Sequence, residues 1–202
     1  MKAEKNNLYT TFDNLLPRKA KEILLGQKGI TIWLTGLSGS GKTTIGQYLE
    51  QKLHTNKVIT KLLDGDNIRV GINNNLGFSE EDRHENIRRI AEVSKLFVES
   101  GIVTINCFVS PTIASRENAR KIIGEKDFIE VFIDTSLEEC EKRDVKGLYK
   151  KAREGQIKDF TGISSPYEPP LNPSIIIKTF NCSIEDCGEE LYKFVLPKIK
   201  LD

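Results

Sequence analysis

The sequence predicts an α/β fold: a parallel β-sheet with helices on both faces, of the kind built around a nucleoside triphosphate. Two observations carry this. Strand and helix patterns alternate along almost the whole chain, and Gly36 to Thr44 reads Gly-Leu-Ser-Gly-Ser-Gly-Lys-Thr-Thr. The second pattern, Gly-x-x-x-x-Gly-Lys-Thr, is a P-loop, whose glycines let backbone N–H groups wrap a polyphosphate. An apolar β-branched run, Ile30 to Thr35, precedes it, and Ile45, Leu49 and Leu53 follow at helical spacing. Strand, turn and helix N-terminus together form an anion site, because the first helical N–H groups have no partners within the helix. Gly36, Leu37, Ser38, Gly39, Ser40, Gly41, Lys42, Thr43 and Thr44 are therefore the expected nucleotide-binding residues. Lys42 is expected at the β/γ-phosphates and Thr43 at Mg²⁺.

The remaining elements follow in order. Val58 to Leu63 reads as a strand ending at Asp64-Gly65-Asp66. Ser79 and Asp82 are spaced as a capping box for a long helix from about Glu80 to Ser100, which Gly101 stops. Ile102 to Val109 is nearly continuous apolar sequence, as a central parallel strand requires. Pro111 is expected to start the next helix, ending near Gly124. Phe128 to Ile133 reads as a strand, followed by a helix through Cys140. Ser174 to Ile177 is expected as the last strand and Ile184 to Ile199 as the closing helix.

Arg143 to Pro173 breaks this rhythm. It is rich in Lys, Arg, Gly and Pro, and long irregular insertions in compact domains tend to be lids or binding loops. A basic lid over the phosphates, hinged at Gly147, Gly155 and Gly162, would exclude water. The domain reading is an N-terminal extension, residues 1–26, partly amphipathic through Leu15, Leu16, Ile23 and Leu24, and a P-loop kinase domain, residues 27–202, with the lid at about 143–173.

Bulk composition narrows the partners. The 202 residues suit one α/β domain, and a net charge of +1 sets up no global field for nucleic acid or a membrane surface. No apolar run approaches a membrane span, and Met1 to Leu8 is charged and polar, unlike a secretory leader, so a cytoplasmic protein is expected. Cys107, Cys140, Cys182 and Cys187 lack metal-type spacing and read as reduced thiols. His54 and His84 read as surface residues.

The acceptor side is more discriminating. Ligands of open α/β sheets sit beyond the carboxyl ends of the strands. That position brings the P-loop, Asp64-Gly65-Asp66 and Val109-Ser110 together. A carboxylate there can organise Mg²⁺ or accept a proton, and Asp66, beyond the strand, is favoured over Asp64. In the long helix, Ile87, Ile90, Ala91, Phe97 and Val98 form the row facing the sheet. Arg83 and Asn86, each four residues before a member of that row, continue it toward the cleft. With Arg69 and the lid residue Lys146 they suggest a second anionic ligand, for which the planar fork of Arg is suited. Phe78 and Phe160 lie in polar, glycine-containing loops, where they could sandwich a base; a core role is the alternative for each. The combined reading is a phosphoryl-transfer enzyme with a nucleotide-like acceptor.

These residues resemble a known family. Ile32 to Thr43 reads Ile-Trp-Leu-Thr-Gly-Leu-Ser-Gly-Ser-Gly-Lys-Thr. Leu63 to Arg69 reads Leu-Asp-Gly-Asp-Asn-Ile-Arg, Leu76 to Ser79 reads Leu-Gly-Phe-Ser, and Asp82 to Arg89 reads Asp-Arg-His-Glu-Asn-Ile-Arg-Arg. Lys146 to Ala152, Phe160 to Ile163 and Ser165 to Pro170 complete a match that spans about Gln27 to Thr179. The chain resembles the adenylylsulfate kinases, which phosphorylate the 3′-hydroxyl of adenosine 5′-phosphosulfate in sulfate assimilation. The resemblance implies ATP and adenylyl sulfate as substrates, with Mg²⁺ bound at Thr43 and Asp66. It implies that Phe78 and Phe160 hold the acceptor adenine, and that Arg69, Arg83 and Asn86 hold its phosphosulfate and ribose. Lys146 becomes a lid contact and Asp66 the acid–base or metal-organising group beside Lys42. The family's Ser-Pro falls on Ser110-Pro111, which implies Ser110 as a site, with a phosphoserine label. In-line transfer needs no such intermediate, so Ser110 is expected to line the pocket. A homodimer and a separate ATP sulfurylase are implied as partners.

The chain departs from the family pattern at Val70, Asn75, Thr112 and Val145, which touches the acceptor rather than the phosphate machinery. Two alternatives follow: a kinase of another nucleotide anhydride in surface-polysaccharide synthesis, and a non-catalytic nucleotide-binding module. A guanine-reading switch would need Asn-Lys-x-Asp, and Asn56-Lys57-Val58-Ile59 lacks the Asp.

Overall fold

The computed structural model describes residues 10–201, so Met1 to Leu8, read above as leaderless, lies outside it. The centre is β1 (Thr31–Thr35), buried at every position. An apolar run can sit there because helices cover both faces of the sheet. β2 (Thr60–Asp64), β3 (Val103–Cys107), β4 (Phe128–Asp134) and β5 (Ile175–Lys178) complete a five-stranded sheet in the order β2-β3-β1-β4-β5, every pairing parallel. Ile32 is in register with Ile105 on one side and Ile129 on the other.

Alternate side chains of the strands feed two cores. Ile32, Leu34, Ile105, Val131, Ile133 and Ile177 meet α2 (Lys42–Thr55) and α8 (Ile184–Ile199) on one face. Trp33 and Phe128 point the other way, toward α4 (Glu80–Glu99) and α5 (Ile113–Ile123). Their rings lie 5.6 Å apart. The row read along α4 is buried at Ile87, Ile90, Ala91 and Val98, with Phe97 only half-buried. Ser94 is the polar member of the row; its hydroxyl accepts from Asn106 Nδ2 at 2.7 Å.

Several boundaries differ from expectation. The strand expected from Val58 starts at Thr60 and takes in Asp64. The central strand covers Val103–Cys107 rather than running to Val109. Pro111 lies outside α5: Thr112 is the N-cap, its hydroxyl accepting from the Ser115 amide at 3.3 Å. Asp64-Gly65-Asp66, read as a turn, opens a short helix, α3 (Gly65–Val70), because the Asp64 carboxylate accepts from the Asp66 amide. α6 (Leu137–Arg143) continues past Cys140, and the lid segment, read as irregular, contains α7 (Leu148–Arg153).

The end of the N-terminal segment is tied to the core. In α1 (Arg18–Leu25), the Arg18 guanidinium donates to both carboxylate oxygens of Asp127 at 2.6 and 2.8 Å. Gln27 Nε2 donates to the Ile59 and Gly101 carbonyls at 2.9 Å, pinning the amino-end side of the sheet. Leu15, Leu16, Ile23 and Leu24 face solvent.

The P-loop helix rests directly on the sheet at Gly46, where an added Cβ would lie 2.6 Å from Cys107 Sγ and 3.4 Å from Ile105 Cγ2. Gly46→Ala is expected to destabilise the fold by about 1–3 kcal/mol through overpacking. Adding Cys107→Ala should restore part of that loss, and urea unfolding of the single and double variants measures both.

Candidate active site

The chain leaves β1 through the P-loop. Gly39 and Gly41 adopt left-handed backbone (φ 76° and 104°), a conformation that side chains disfavour. The wrap is closed from inside. Lys42, in the first turn of α2 and 8% exposed, donates from Nζ to the Gly36 carbonyl at 2.9 Å and the Leu37 carbonyl at 2.7 Å. Burial lowers its ammonium to about 8. Ser40 is buried beneath the loop and Thr44 faces solvent.

The neighbour of Thr43 is Asp64. Thr43 Oγ1 donates to Asp64 Oδ2 at 2.6 Å, joining the P-loop helix to the end of β2. Asp66, in the first turn of α3, is exposed and pairs with Lys146 of the lid. Sequence position had favoured Asp66 over Asp64 for the metal; in the fold it is Asp64 that touches the predicted metal-binding hydroxyl. Thr43 and Asp64 offer hard oxygen donors, which fit Mg²⁺. Among the described residues no cluster of three or more His, Cys, Asp or Glu could hold a metal.

On the acceptor side, Arg69 donates to the Gly77 carbonyl at 2.6 Å and lies 4.4 Å from the Phe78 ring centroid. Phe78 is 64% exposed, so the ring is also open to solvent. Arg83 donates from Nε to the Phe78 carbonyl at 2.9 Å, and its terminal nitrogens reach Thr161 Oγ1 and the Asp159 carbonyl in the lid. Burial lowers the affinity of both guanidinium groups for their protons. Asn86 is buried, with its Oδ1 accepting from Asn73 Nδ2 at 2.9 Å. It braces the loop before α4 rather than standing open in the cleft.

The lid lies against the P-loop. Tyr149, on α7, is buried, and its hydroxyl donates to the Ser38 carbonyl at 2.9 Å. Phe160 meets the Tyr149 ring edge-on, with centroids 5.0 Å apart. The far end of the lid is anchored by Arg116, 1% exposed, which donates to Glu130 Oε1 (2.9 Å), the Ser110 carbonyl (2.7 Å) and the Glu168 carbonyl (2.7 Å).

Ser110 is 2% exposed and turned inward. Its Oγ accepts from Trp33 Nε1 at 3.1 Å and donates to Thr35 Oγ1 at 3.0 Å. The expected pocket-lining role is therefore corrected: its hydroxyl closes the end of the sheet.

Sequence reading missed Asp64 as the Thr43 partner, and it missed Asn73, Tyr149, Thr161 and Arg116. Leu148, Tyr149 and Ala152 carry a helical spacing that could have revealed α7. Asn73 and Arg116 have no comparable local signal, because their side-chain partners Asn86 and Glu130 lie 13 and 14 residues away.

A P-loop, a carboxylate at the end of the next strand and a parallel sheet covered by helices define a P-loop phosphotransferase. The adenylylsulphate kinase family model matches residues 28–178. Adenylyl-sulfate kinase from Bacteroides thetaiotaomicron is 59% identical over 197 residues, covering 98% of each chain. The Bacteroides fragilis protein of the same name is 58% identical over 196 residues, 97% of each. Among solved structures, the Mycobacterium tuberculosis APS kinase in complex with AMPPNP and APS superposes with a TM-score of 0.81 at 44% identity. It covers 84% of this chain and 98% of that one. The chain belongs to the adenylylsulfate kinase family and is an ATP-dependent kinase.

Two expectations follow. Bound phosphates favour the charged form of Lys42, so above about pH 8 nucleotide binding takes up a proton. The association constant for an ATP analogue should fall as pH rises past that value, by up to about tenfold per unit. Calorimetry in buffers of different ionisation enthalpy reads the proton, and Lys42→Ala should bind weakly with the dependence removed. Ser110→Ala should retain turnover within a few-fold while losing about 1–3 kcal/mol of stability by orphaning its buried partners. Loss of turnover at unchanged stability would contradict the inward role.

Proposed function

We propose that this protein transfers the γ-phosphoryl group of ATP to the 3′-hydroxyl of adenylyl sulfate, giving ADP and 3′-phosphoadenylyl sulfate. The observation that carries the reading is the way one lid serves two half-sites. Tyr149 holds the lid to the donor loop at Ser38, while Thr161 and the Asp159 carbonyl hold it to Arg83 on the acceptor side. Family membership and the ligands of the Mycobacterium tuberculosis structure support the choice of substrates.

In this reading the amides of Gly36 to Thr44 cradle the donor phosphates, and Lys42 exchanges its carbonyl partners for β/γ-oxygens. Thr43 with Asp64 or Asp66 would hold Mg²⁺, which neutralises charge on the phosphates. Asp66 accepts the proton of the acceptor hydroxyl. The exposed Phe78 ring and Phe160 receive the acceptor base, and Arg69, Arg83 and Lys146 its anionic end. Asn86 acts through Asn73 by fixing the loop that carries this set. Transfer then needs only alignment and charge neutralisation, and the lid excludes competing water. No intermediate on Ser110 is required.

The same proposal includes a homodimer, a separate ATP sulfurylase as the source of adenylyl sulfate, and a cytoplasmic location. Among the described residues no helix is long and apolar enough to cross a membrane. It keeps an extension at residues 1–26, a kinase domain at 27–202 and a lid at about 143–173.

A coupled ADP-release assay with adenylyl sulfate and with a cytidine-based anhydride acceptor is the test. Turnover with micromolar adenylyl sulfate and little with the cytidine compound is expected; the reverse order would replace the acceptor. Lys42→Ala should lower kcat/KM by about 100-fold or more, on the scale of removing a fixed charge from a transition state. Unchanged turnover would contradict the donor assignment.

A further inference from the structure

The closing helix α8 starts at a cap flanked by two thiols. Ser183 is the N-cap: its hydroxyl accepts from the Asp186 amide at 3.0 Å and donates to Asp186 Oδ2 at 2.7 Å. Cys182 precedes the cap and Cys187 is the fourth helical residue. In a capped helix these two positions face one another and commonly carry an apolar pair that fixes the entry of the chain. Here both are cysteines, and their Sγ atoms lie 2.8 Å apart. Cys187 is 1% exposed, whereas Cys182 is partly exposed. Cys107 and Cys140 are buried elsewhere, behind α2 and in α6.

We propose that Cys182 and Cys187 form a reversible dithiol–disulfide site at the N-terminus of α8, closed by exchange with a low-molecular-weight disulfide such as oxidised glutathione. The cap brings the two sulfurs together, so closure needs little rearrangement. Exposure assigns the order of events. Cys182 loses its proton to water, and its thiolate attacks one sulfur of the oxidant, which forms a mixed disulfide and releases one glutathione thiolate. Cys187 then loses its proton, and its thiolate attacks Cys182 Sγ, which forms the internal bond and expels the second glutathione. Two protein thiols are oxidised and one small disulfide is reduced to two thiols. Burial pushes the Cys187 thiol up to about 12, so its thiolate fraction is small and the resolving step relies on the contact between the two sulfurs.

The site adjoins the donor half. The loop before Cys182 begins at Thr179, whose hydroxyl is 2.6 Å from that of Thr135 and whose carbonyl accepts from Arg143 at 3.1 Å. Thr135 and Arg143 both reach the Ser40 carbonyl of the P-loop, at 3.2 and 3.5 Å. The bridge therefore pins one end of a run of contacts that finishes on the phosphate loop.

The test uses the full-length reduced protein in glutathione mixtures of increasing oxidised fraction, quenched with acid, alkylated under denaturing conditions and digested with trypsin. Residues 179–193, between Lys178 and Lys193, emerge as one peptide carrying both cysteines. The expected result is a peptide lighter by two hydrogens that takes up no alkyl group, restored by reduced glutathione, with Cys107 and Cys140 alkylated throughout. Cys187→Ser should instead trap glutathione on Cys182, and Cys182→Ser should leave Cys187 alkylated. Two alkylated thiols in the wild-type peptide at the most oxidising mixture would overturn the proposal. So would a glutathione adduct on Cys182 that Cys187 never displaces.

Discussion

A buried ammonium held by main-chain carbonyls is the contact on which the rest of this site depends. Lys42 sits under its own loop, bonded to Gly36 and Leu37, so the turn between β1 and α2 is closed around a positive charge. An unpaired ammonium there would be strongly disfavoured, and the carbonyls stabilise it. They do so incompletely, as the lowered proton affinity records. A polyphosphate is a better partner than two carbonyls, and the loop is shaped to receive one. The hydrophobic sheet beneath makes this arrangement rigid: Gly46 lets α2 lie against β3, and Thr43 bonds α2 to β2 through Asp64.

From this fixed donor half, the acceptor half is built by longer connections. Arg83 links the loop at Phe78 with the lid, and Lys146 brings the lid to Asp66. These polar contacts lie outside the two hydrophobic cores. The lid's far end behaves differently. The Arg116–Glu130 pair is almost fully buried, and breaking such a pair by removing one partner costs on the order of 3–5 kcal/mol. One end of the segment is therefore anchored in the sheet, while the other rests on exposed polar contacts such as Lys146 with Asp66.

The sheet, its helices and the donor loop were legible in the sequence because their signals are local: apolar runs, helical spacing, capping boxes and a glycine pattern. Errors gathered where a distant partner decides the outcome. Asp64 read as a turn or helix-capping residue and does cap α3, but it also receives Thr43, 21 residues away. Asn86 shares a helix row with Arg83, as spacing implied, but Asn73 claims its side chain. Ser110 sits beyond a strand end, where ligands bind, and only the packing of Trp33 and Thr35 turns its hydroxyl inward. The lid's basic, glycine-rich composition was readable, and the spacing of Leu148, Tyr149 and Ala152 carried a signal for α7, whereas the bond from Tyr149 to Ser38 across the P-loop had none.

The central claim is that one lid closes over two nucleotides, with Lys42 and Lys146 exchanging protein partners for substrate oxygens. A crystal structure with Mg·ADP and adenylyl sulfate tests it most directly. The account predicts Lys42 Nζ on the β-phosphate instead of the Gly36 and Leu37 carbonyls, Lys146 released from Asp66, and the acceptor base between Phe78 and Phe160. A complex in which Lys42 keeps its carbonyl partners, or the acceptor base lies away from both rings, would contradict it.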